Sequence, residues 1–148
     1  MAVTVNLFQA YRLHTMGSVQ SVQINHAAAS AGDFKVVLLS PSYTFDSTHS
    51  TQSQLTNEIS AANYTVGGIN LGGVTLTVAT SGTATFDAND VLVTASGTDM
   101  SARSAVLVWA AAGASALMCQ VDFGQTETAG NGTTFNIVWN AAGIIQGK

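Results

Sequence analysis

The sequence predicts an all-β domain, mostly antiparallel and built as a β-sandwich or jelly roll, with a short N-terminal helix or arm. Short apolar or alternating runs recur from Phe34 to Trp139, and groups of Gly, Asn, Asp and Ser separate them. This pattern is typical of strands joined by tight turns. Hydrophobic residues make up 47% of the 148 residues, which suits one domain with a sizeable core.

Residues 1–32 differ from the rest of the chain. Leu7, Phe8 and Tyr11 recur at helical spacing, and Gly17 is suited to end a helix. Residues 19–24 alternate in part and favour a strand, whereas 27–32 resemble a connector. We therefore expect an N-terminal arm or helix over 1–32, packed on the domain or on a neighbour, and a sandwich domain over 33–148.

The run from Phe34 to Leu39 is almost wholly apolar and stops at Ser40-Pro41, which indicates a central strand buried on both faces. Polar residues 41–57 predict a long loop, and 55–61 are expected to make a single helical turn. Further strands are predicted over 74–78, 84–86, 91–93, 105–109, 117–123 and 134–139. Turn residues separate them at 81–82, 87–90, 96–97, 112–114 and 130–132.

Charge is unusually scarce. Only 8% of residues are Asp, Glu, Lys or Arg, against about a quarter in an average soluble domain. The surface must therefore consist largely of Ser, Thr, Asn, Gln, Gly and Ala, and such a surface loses little ionic hydration when it is covered. The composition favours a protein that stands against neighbours in an assembly, although it also fits a monomer with a neutral, Thr-rich surface.

Several partner classes find no support in the sequence. The four basic residues are scattered along the sequence, at Arg12, Lys35, Arg103 and Lys148. They form no cationic cluster of the kind that binds nucleic acid or anionic lipid. The apolar stretch 105–119 is short for a membrane span and is interrupted by Gly113 and Ser115. The first residues lack the pattern of a secretory signal. We expect no nucleic-acid partner, no membrane association and synthesis in a cytoplasm.

Catalytic and metal-binding patterns are also missing from the sequence. No Gly-x-Ser-x-Gly elbow is present, and His14, His26 and His49 lie far apart. Residues 86–90 resemble part of a calcium loop but lack its glycine and its bidentate glutamate, so a β-turn is the preferred interpretation. Cys119 lies in an apolar run, which predicts a buried thiol. The prediction is a protein that is not an enzyme and needs no metal or cofactor.

An ordered series of segments carries a family resemblance from Asp33 to the C-terminus. The segments are 33–39, 42–44, 49, 57–59, 64–68, 86–91, 102–106, 122–124, 131–139 and 143–144. In this order they resemble a family of small structural proteins of tailed bacteriophages, of the capsid decoration or cement type. The family usually carries a charged helix before its first core strand, whereas here Arg12 is the one charged residue before Asp33.

The resemblance implies a virion structural protein that binds the outside of the assembled head shell. Its partner would be the major capsid protein, and the expected oligomer is a homotrimer. The alternative is a head-fibre or tail-associated module that binds a host surface or carbohydrate through loop aromatics. An enzyme acting on a small molecule is a distant third.

Candidate interface residues fall into three groups. Leu7, Phe8 and Tyr11 either anchor the N-terminal segment on a capsid or sister subunit, or fix the helix to its own core. Arg103 either pairs with Asp99 or Asp122, or forms a salt bridge to the capsid. The aromatic residues that flank the polar loop are contact candidates, and they are Tyr43, Phe45 and Tyr64. The predicted core aromatics are Phe34, Trp109, Phe123, Phe135 and Trp139.

Overall fold

The computed structural model describes residues 3–15, 32–79, 82–111 and 115–147. The first half of the chain holds β1 (Thr4–Leu7), α1 (Gln9–Thr15), β2 (Phe34–Leu39), a 3-10 turn (Gln52–Gln54), β3 (Ile69–Asn70) and β4 (Thr75–Val78). The second half holds β5 (Ala84–Asp87), β6 (Val91–Thr94), β7 (Met100–Trp109), β8 (Ala116–Ala129), β9 (Thr134–Ile137) and β10 (Ile145–Gly147).

The strands form two layers. One is a five-stranded sheet in the order β1-β8-β7-β2-β3, and the other contains the sheets β10-β5-β4 and β6-β9. All of their strand pairs are antiparallel. The prediction of an all-β antiparallel fold with a short N-terminal helix is confirmed.

β2 is buried on both of its faces, which explains its unbroken apolar sequence. Phe34, Val36 and Leu38 point into the core between the two layers. Val37 and Leu39 point to the opposite face, where they join a smaller apolar cluster. That cluster includes Phe8, Tyr43, Val106, Val108 and Leu117, with Phe45 and Leu55 packed against it. The long polar loop therefore covers the outer face of the sheet with its few apolar side chains.

Aromatic side chains connect the two layers. The rings of Phe34 in β2 and Phe86 in β5 lie with their centroids 4.9 Å apart and tilted. Of the predicted core aromatics, Phe34, Trp109 and Phe135 are buried, in agreement with the sequence. Phe123 and Trp139 pack against the core but are only half-buried.

The N-terminal segment contains a strand that the sequence did not predict. Residues 4–7 form β1 and pair with β8, and the helix begins only at Gln9. Phe8 lies between them and is fully buried. The helical spacing was misleading because Leu7 faces the core from a strand, whereas Tyr11 does so from the helix. The predicted helix stop at Gly17 and the predicted strand over 19–24 lie outside the described residues, as do all but the last residue of the connector.

The helical turn predicted over 55–61 is wrong. The 3-10 turn lies earlier, at Gln52–Gln54. Residues after it run antiparallel to the end of β2: Ser40 N donates to Asn57 O at 2.9 Å, and Ile59 N donates to Leu38 O at 3.0 Å. Because these backbone groups find partners on β2, a helical turn here would lose them.

Candidate interaction groove at the open end of the sandwich

β8 is interrupted by a bulge that faces β7. Between Ala102 and Ser104 the partner on β8 changes from Glu127 to Asp122, so β8 advances five residues while β7 advances two. Gly124 lies within the bulge at a φ of +79°, a conformation that favours glycine. Bulges of this kind bend a strand and redirect its side chains, and here Phe123 is the residue at the bend.

A single carboxylate holds the bulge. Asp122 Oδ1 accepts one hydrogen bond from Arg103 Nε and one from Gly124 N, each at 2.8 Å. The hydrogen bond from Arg103 is the main cause that holds the pKa of Asp122 below its usual value, and the Gly124 amide adds to it. Both side chains are about one-third exposed. Arg103 is therefore a structural cation of the bulge, which is the first of the two roles left open by the sequence.

Beyond the bulge the two layers separate into a groove of about 750 Å³. Its floor and walls come from β1, β8, β9 and the chain after β9. Apolar lining residues are Val3, Val5, Val121, Phe123, Ala129, Phe135, Ile137, Val138, Trp139 and Ile144. The rings of Phe123 and Phe135 lie 6.1 Å apart and join the two walls. Glu127 is the single charged residue among the described residues of the lining.

The groove exists because the inner face of β1 extends past the core. Leu7 packs against the core, and Val5 and Val3 follow it on the same face by the alternation of a strand. Yet Val5 is 49% exposed and Val3 is 60% exposed. On the opposite wall, Val138 is 67% exposed. The described chain leaves these side chains on an open apolar surface.

Trp139 is fixed at the rim by the connection between β5 and β6. Its backbone N–H donates to Asp90 Oδ1 at 2.9 Å, and its indole N–H donates to Asn89 O at 3.0 Å. The β-turn predicted over 86–90 is wrong: residues 86–87 end β5, and residues 88–90 form an irregular connection that holds an aromatic side chain. Within the described residues, no group of three or more His, Cys, Asp or Glu side chains could hold a metal ion.

β1 also offers backbone hydrogen-bonding groups. Phe8 N donates to Met118 O on β8, so the alternate residues Asn6 and Thr4 face β8 as well. The N–H and C=O groups of Val3 and Val5 therefore face the other way. Among the described strands β1 is the last of its sheet on that side. An extended apolar segment could pair with this edge and place alternate side chains in the groove.

The structure places most of the predicted interface residues inside the chain. Phe8 is fully buried, and Tyr11, Tyr43 and Tyr64 are each at least nine-tenths buried. Leu7 and Phe45 are half-buried against the two apolar clusters. For Phe8 and Tyr11 this is the second of the two roles that the sequence allowed, and burial raises the pKa of Tyr11 to about 12. We do not assign these side chains to an interface, because they have little area left to bury.

The exposed residues of the groove escaped the sequence analysis. Val138 lies in a predicted strand, whereas Val3 and Val5 lie in the predicted arm, and no spacing distinguishes any of them as an exposed groove residue. Trp139 was assigned to the core. They are exposed because one layer of the fold extends beyond the other. The one sequence feature that could have indicated this surface is the apolar content of the predicted N-terminal arm.

No family model, curated protein or solved structure matches the chain. No helix in the described ranges is long and apolar enough to cross a membrane.

Proposed function

We propose that the chain is a structural protein of a tailed-phage particle that decorates the assembled head shell. Its partner is the major capsid protein, its place is the outside of the capsid, and a homotrimer is the favoured assembly. The observation that carries the binding role is the apolar groove beside the β1 edge. The phage assignment itself rests on the ordered resemblance of residues 33–144.

The groove suits an extended, uncharged partner segment. Pairing with β1 would supply main-chain hydrogen bonds, and alternate side chains would fill the space between Val5 and Val138. The walls present aromatic rings at Phe123 and Trp139, which are the kind of side chain that carries much of the energy of protein interfaces. A charged segment would gain little here, because Glu127 is the one charged residue that the described part of the chain contributes to the lining.

Scarce charge supports an assembly role for a separate reason. A trimeric decoration protein makes the same modest contact three times, and contacts that are linked in one oligomer multiply weak affinities. Each contact costs less to form when few ions must be dehydrated. With 8% charged residues, this surface suits repeated contacts of that kind.

The carbohydrate-binding alternative loses its main support. It depended on exposed aromatic side chains around the polar loop, where a sugar could stack. Tyr43 and Tyr64 are buried, and Phe45 packs against an apolar cluster. No aromatic platform remains on that loop, so we favour the shell-binding role.

Cryo-electron microscopy of particles from the phage that encodes the chain tests the assignment directly. We expect density that fits the two-layer fold on the outer face of the shell, with β1 and the groove against capsid protein. Density confined to the tail or a head fibre would overturn the decoration role.

A pair of matched variants tests the groove. Val138→Lys places a charge in the groove, and Val66→Lys makes the same change at a valine that is 64% exposed and lies outside it. In co-sedimentation with shells that lack the protein, we expect Val138→Lys to bind at least about tenfold more weakly. Val66→Lys should bind like the unmodified protein. Equal binding by both variants would remove the groove from the interface.

A further inference from the structure

β4 is an exposed strand at the end of its sheet. In the order β10-β5-β4 it has one neighbour among the described strands. All four of its residues, Thr75–Val78, are exposed, with Leu76 at 38% and Val78 at 69%. Val74 just before it packs on the core, and Leu76 and Val78 continue the same face beyond the core's edge.

This edge lacks the usual protection against pairing. Proteins blunt their free edges with lysine, proline, bulges or very short strands. β3 ends its own sheet with two residues, and β10 ends the sheet of β4 with three. β4 has four consecutive residues in regular pairing with β5 and contains neither proline nor charge.

The β4 edge itself is neutral. From Ile59 to Phe86 the sequence contains no Asp, Glu, Lys, Arg or His, and the next acid, Asp87, lies one strand in from the edge, opposite Thr75 on β5. A charged partner would find no complementary group on β4. A second copy of the chain would meet little like-charge repulsion at this edge, although each copy carries a net charge of −4.

The backbone groups on the free side can be assigned by alternation. Ala79 N donates to Thr83 O across the β4–β5 hairpin, so Thr77 and Thr75 also direct their N–H and C=O groups to β5. The groups of Leu76 and Val78 therefore face outward. Two such edges are complementary to each other when the strands run antiparallel.

We propose that β4 pairs with β4 of a second copy about a twofold axis normal to the sheet, centred on Leu76. This register places Leu76 opposite Leu76, Thr75 opposite Thr77, and Val74 opposite Val78 of the other copy. Every pair joins like with like on both faces. The two inner faces then form one continuous apolar surface, and the three-stranded sheets join into one of six strands.

The contact between the two β4 strands is small, so the pair is weak and its formation depends on concentration. Stable interfaces usually bury about 800 Å² on each partner, and a four-residue strand edge supplies only part of that. The pair therefore forms at high local concentration, as on a crowded particle surface. The trimer proposed above is the assembly on the shell, whereas this isologous contact closes at two copies and is measured on the free chain in solution. It does not depend on the proposed function.

Sedimentation equilibrium of the full chain tests the pair. The unmodified protein should move from about one to about two chain masses between about 1 µM and 1 mM. Val78→Lys should remain at one chain mass at every concentration, because each lysine would place a charge opposite Val74 of the other copy, on the apolar face of the joined sheet. Val66→Lys, a valine of similar exposure away from β4, should dimerise like the unmodified protein. A monomer at all concentrations, a trimer, or an equal effect of both variants would overturn the proposal.

Cysteine cross-linking tests the register. Cys119 is fully buried, so an introduced surface thiol reports alone. A mixture of Thr75→Cys and Thr77→Cys chains should form a mixed disulfide under mild oxidation, since these residues face each other without shared hydrogen bonds. Gln146→Cys, on the opposite edge strand β10, is the control and should stay monomeric. Disulfides from Thr77→Cys alone, or none from the mixture, would overturn this register.

Circular dichroism of each variant separates a folding failure from a lost contact. If Val78→Lys were unfolded, the cross-linking result alone would decide whether β4 pairs with β4 of a second copy. Loss of shell binding by Val138→Lys, measured separately, reports only on the groove. The two proposals can therefore fail independently.

Discussion

The hydroxyl of Tyr64 links the end of β2 to the segment that follows the long loop. It donates to Glu58 Oε1 at 2.7 Å and accepts from the N–H of Leu38 at 3.0 Å. Glu58 Oε1 also accepts from Gly67 N at 2.8 Å. Burial raises the pKa of Tyr64, and the hydrogen bond to Glu58 raises it further. One buried hydroxyl thus fixes three separate backbone segments.

Replacing Tyr64 with Phe should destabilise the fold. The change leaves the Leu38 N–H without its acceptor and removes a donor from Glu58, so we expect a loss of about 1–3 kcal/mol in the free energy of unfolding. Urea denaturation followed by tryptophan fluorescence measures it. Tyr43→Phe is the matched control, because the buried Tyr43 hydroxyl makes only a weak contact with the Asp46 backbone and no well-formed hydrogen bond within the described residues. The prediction fails if the two variants lose the same stability.

The ion pair at the β8 bulge should make stability depend on acid pH. The folded pKa of Asp122 is lowered, first by Arg103 and then by Gly124, so its ionised form favours the folded state. That stabilisation is fully present well above the ordinary Asp value of 3.8 and disappears as pH falls through the folded pKa. Asp122→Asn should therefore be less stable than the unmodified chain at neutral pH, with the gap closing below that value.

Chemical denaturation at a series of pH values between about 6 and 2 measures this gap. A constant gap over the whole range would show that Asp122 acts through packing or through its neutral hydrogen bonds rather than through its charge.

Two phenylalanines should separate stability from binding. Phe86 is 2% exposed and packs against Phe34 with the two rings tilted, so Phe86→Ala should cost about 3–5 kcal/mol of stability. Phe123 is half-buried in the groove, so Phe123→Ala should cost clearly less. If the groove binds a capsid segment, Phe123→Ala should nevertheless weaken co-sedimentation with shells. Equal stability losses would show that Phe123 belongs to the core.

Cys119 should react only when the protein unfolds. It is fully buried, and burial raises the pKa of its thiol to about 12, so the thiolate is scarce and inaccessible. Modification by a thiol-specific reagent should be slow in the native protein and should become fast in about 6 M urea. Rapid labelling under native conditions would contradict the burial of β8.

The strands that could be predicted from the sequence are those whose own residues are almost all apolar or alternate regularly between apolar and polar. Phe34–Leu39 was predicted at its observed bounds, and the turn at 130–132 separates β8 from β9 as expected. β1 and β3 were missed because they are short and gain their stability from pairing with β8 and β2. Pairing partners that distant in sequence leave no local signal.

The prediction of a long polar loop is correct. The expectation that its aromatic side chains are exposed for contact is not. Its composition indicates a surface position, but Tyr43 and Phe45 fold back onto the outer face of β2 and β7. That face needed a cover because both faces of β2 are apolar. The sequence showed that the second face of β2 needs a cover, but it did not show that the long loop provides it.

The sequence by itself determined the fold class, the central strand, the buried thiol and the low charge of the surface. These follow from residue type and period, which act locally. The tertiary structure decided that Tyr64 is a buried link to Glu58, that Arg103 holds a bulge, and that Val5 and Val138 remain exposed. Each of these depends on where one layer ends over the other, and that overlap is set by contacts between residues far apart in the chain.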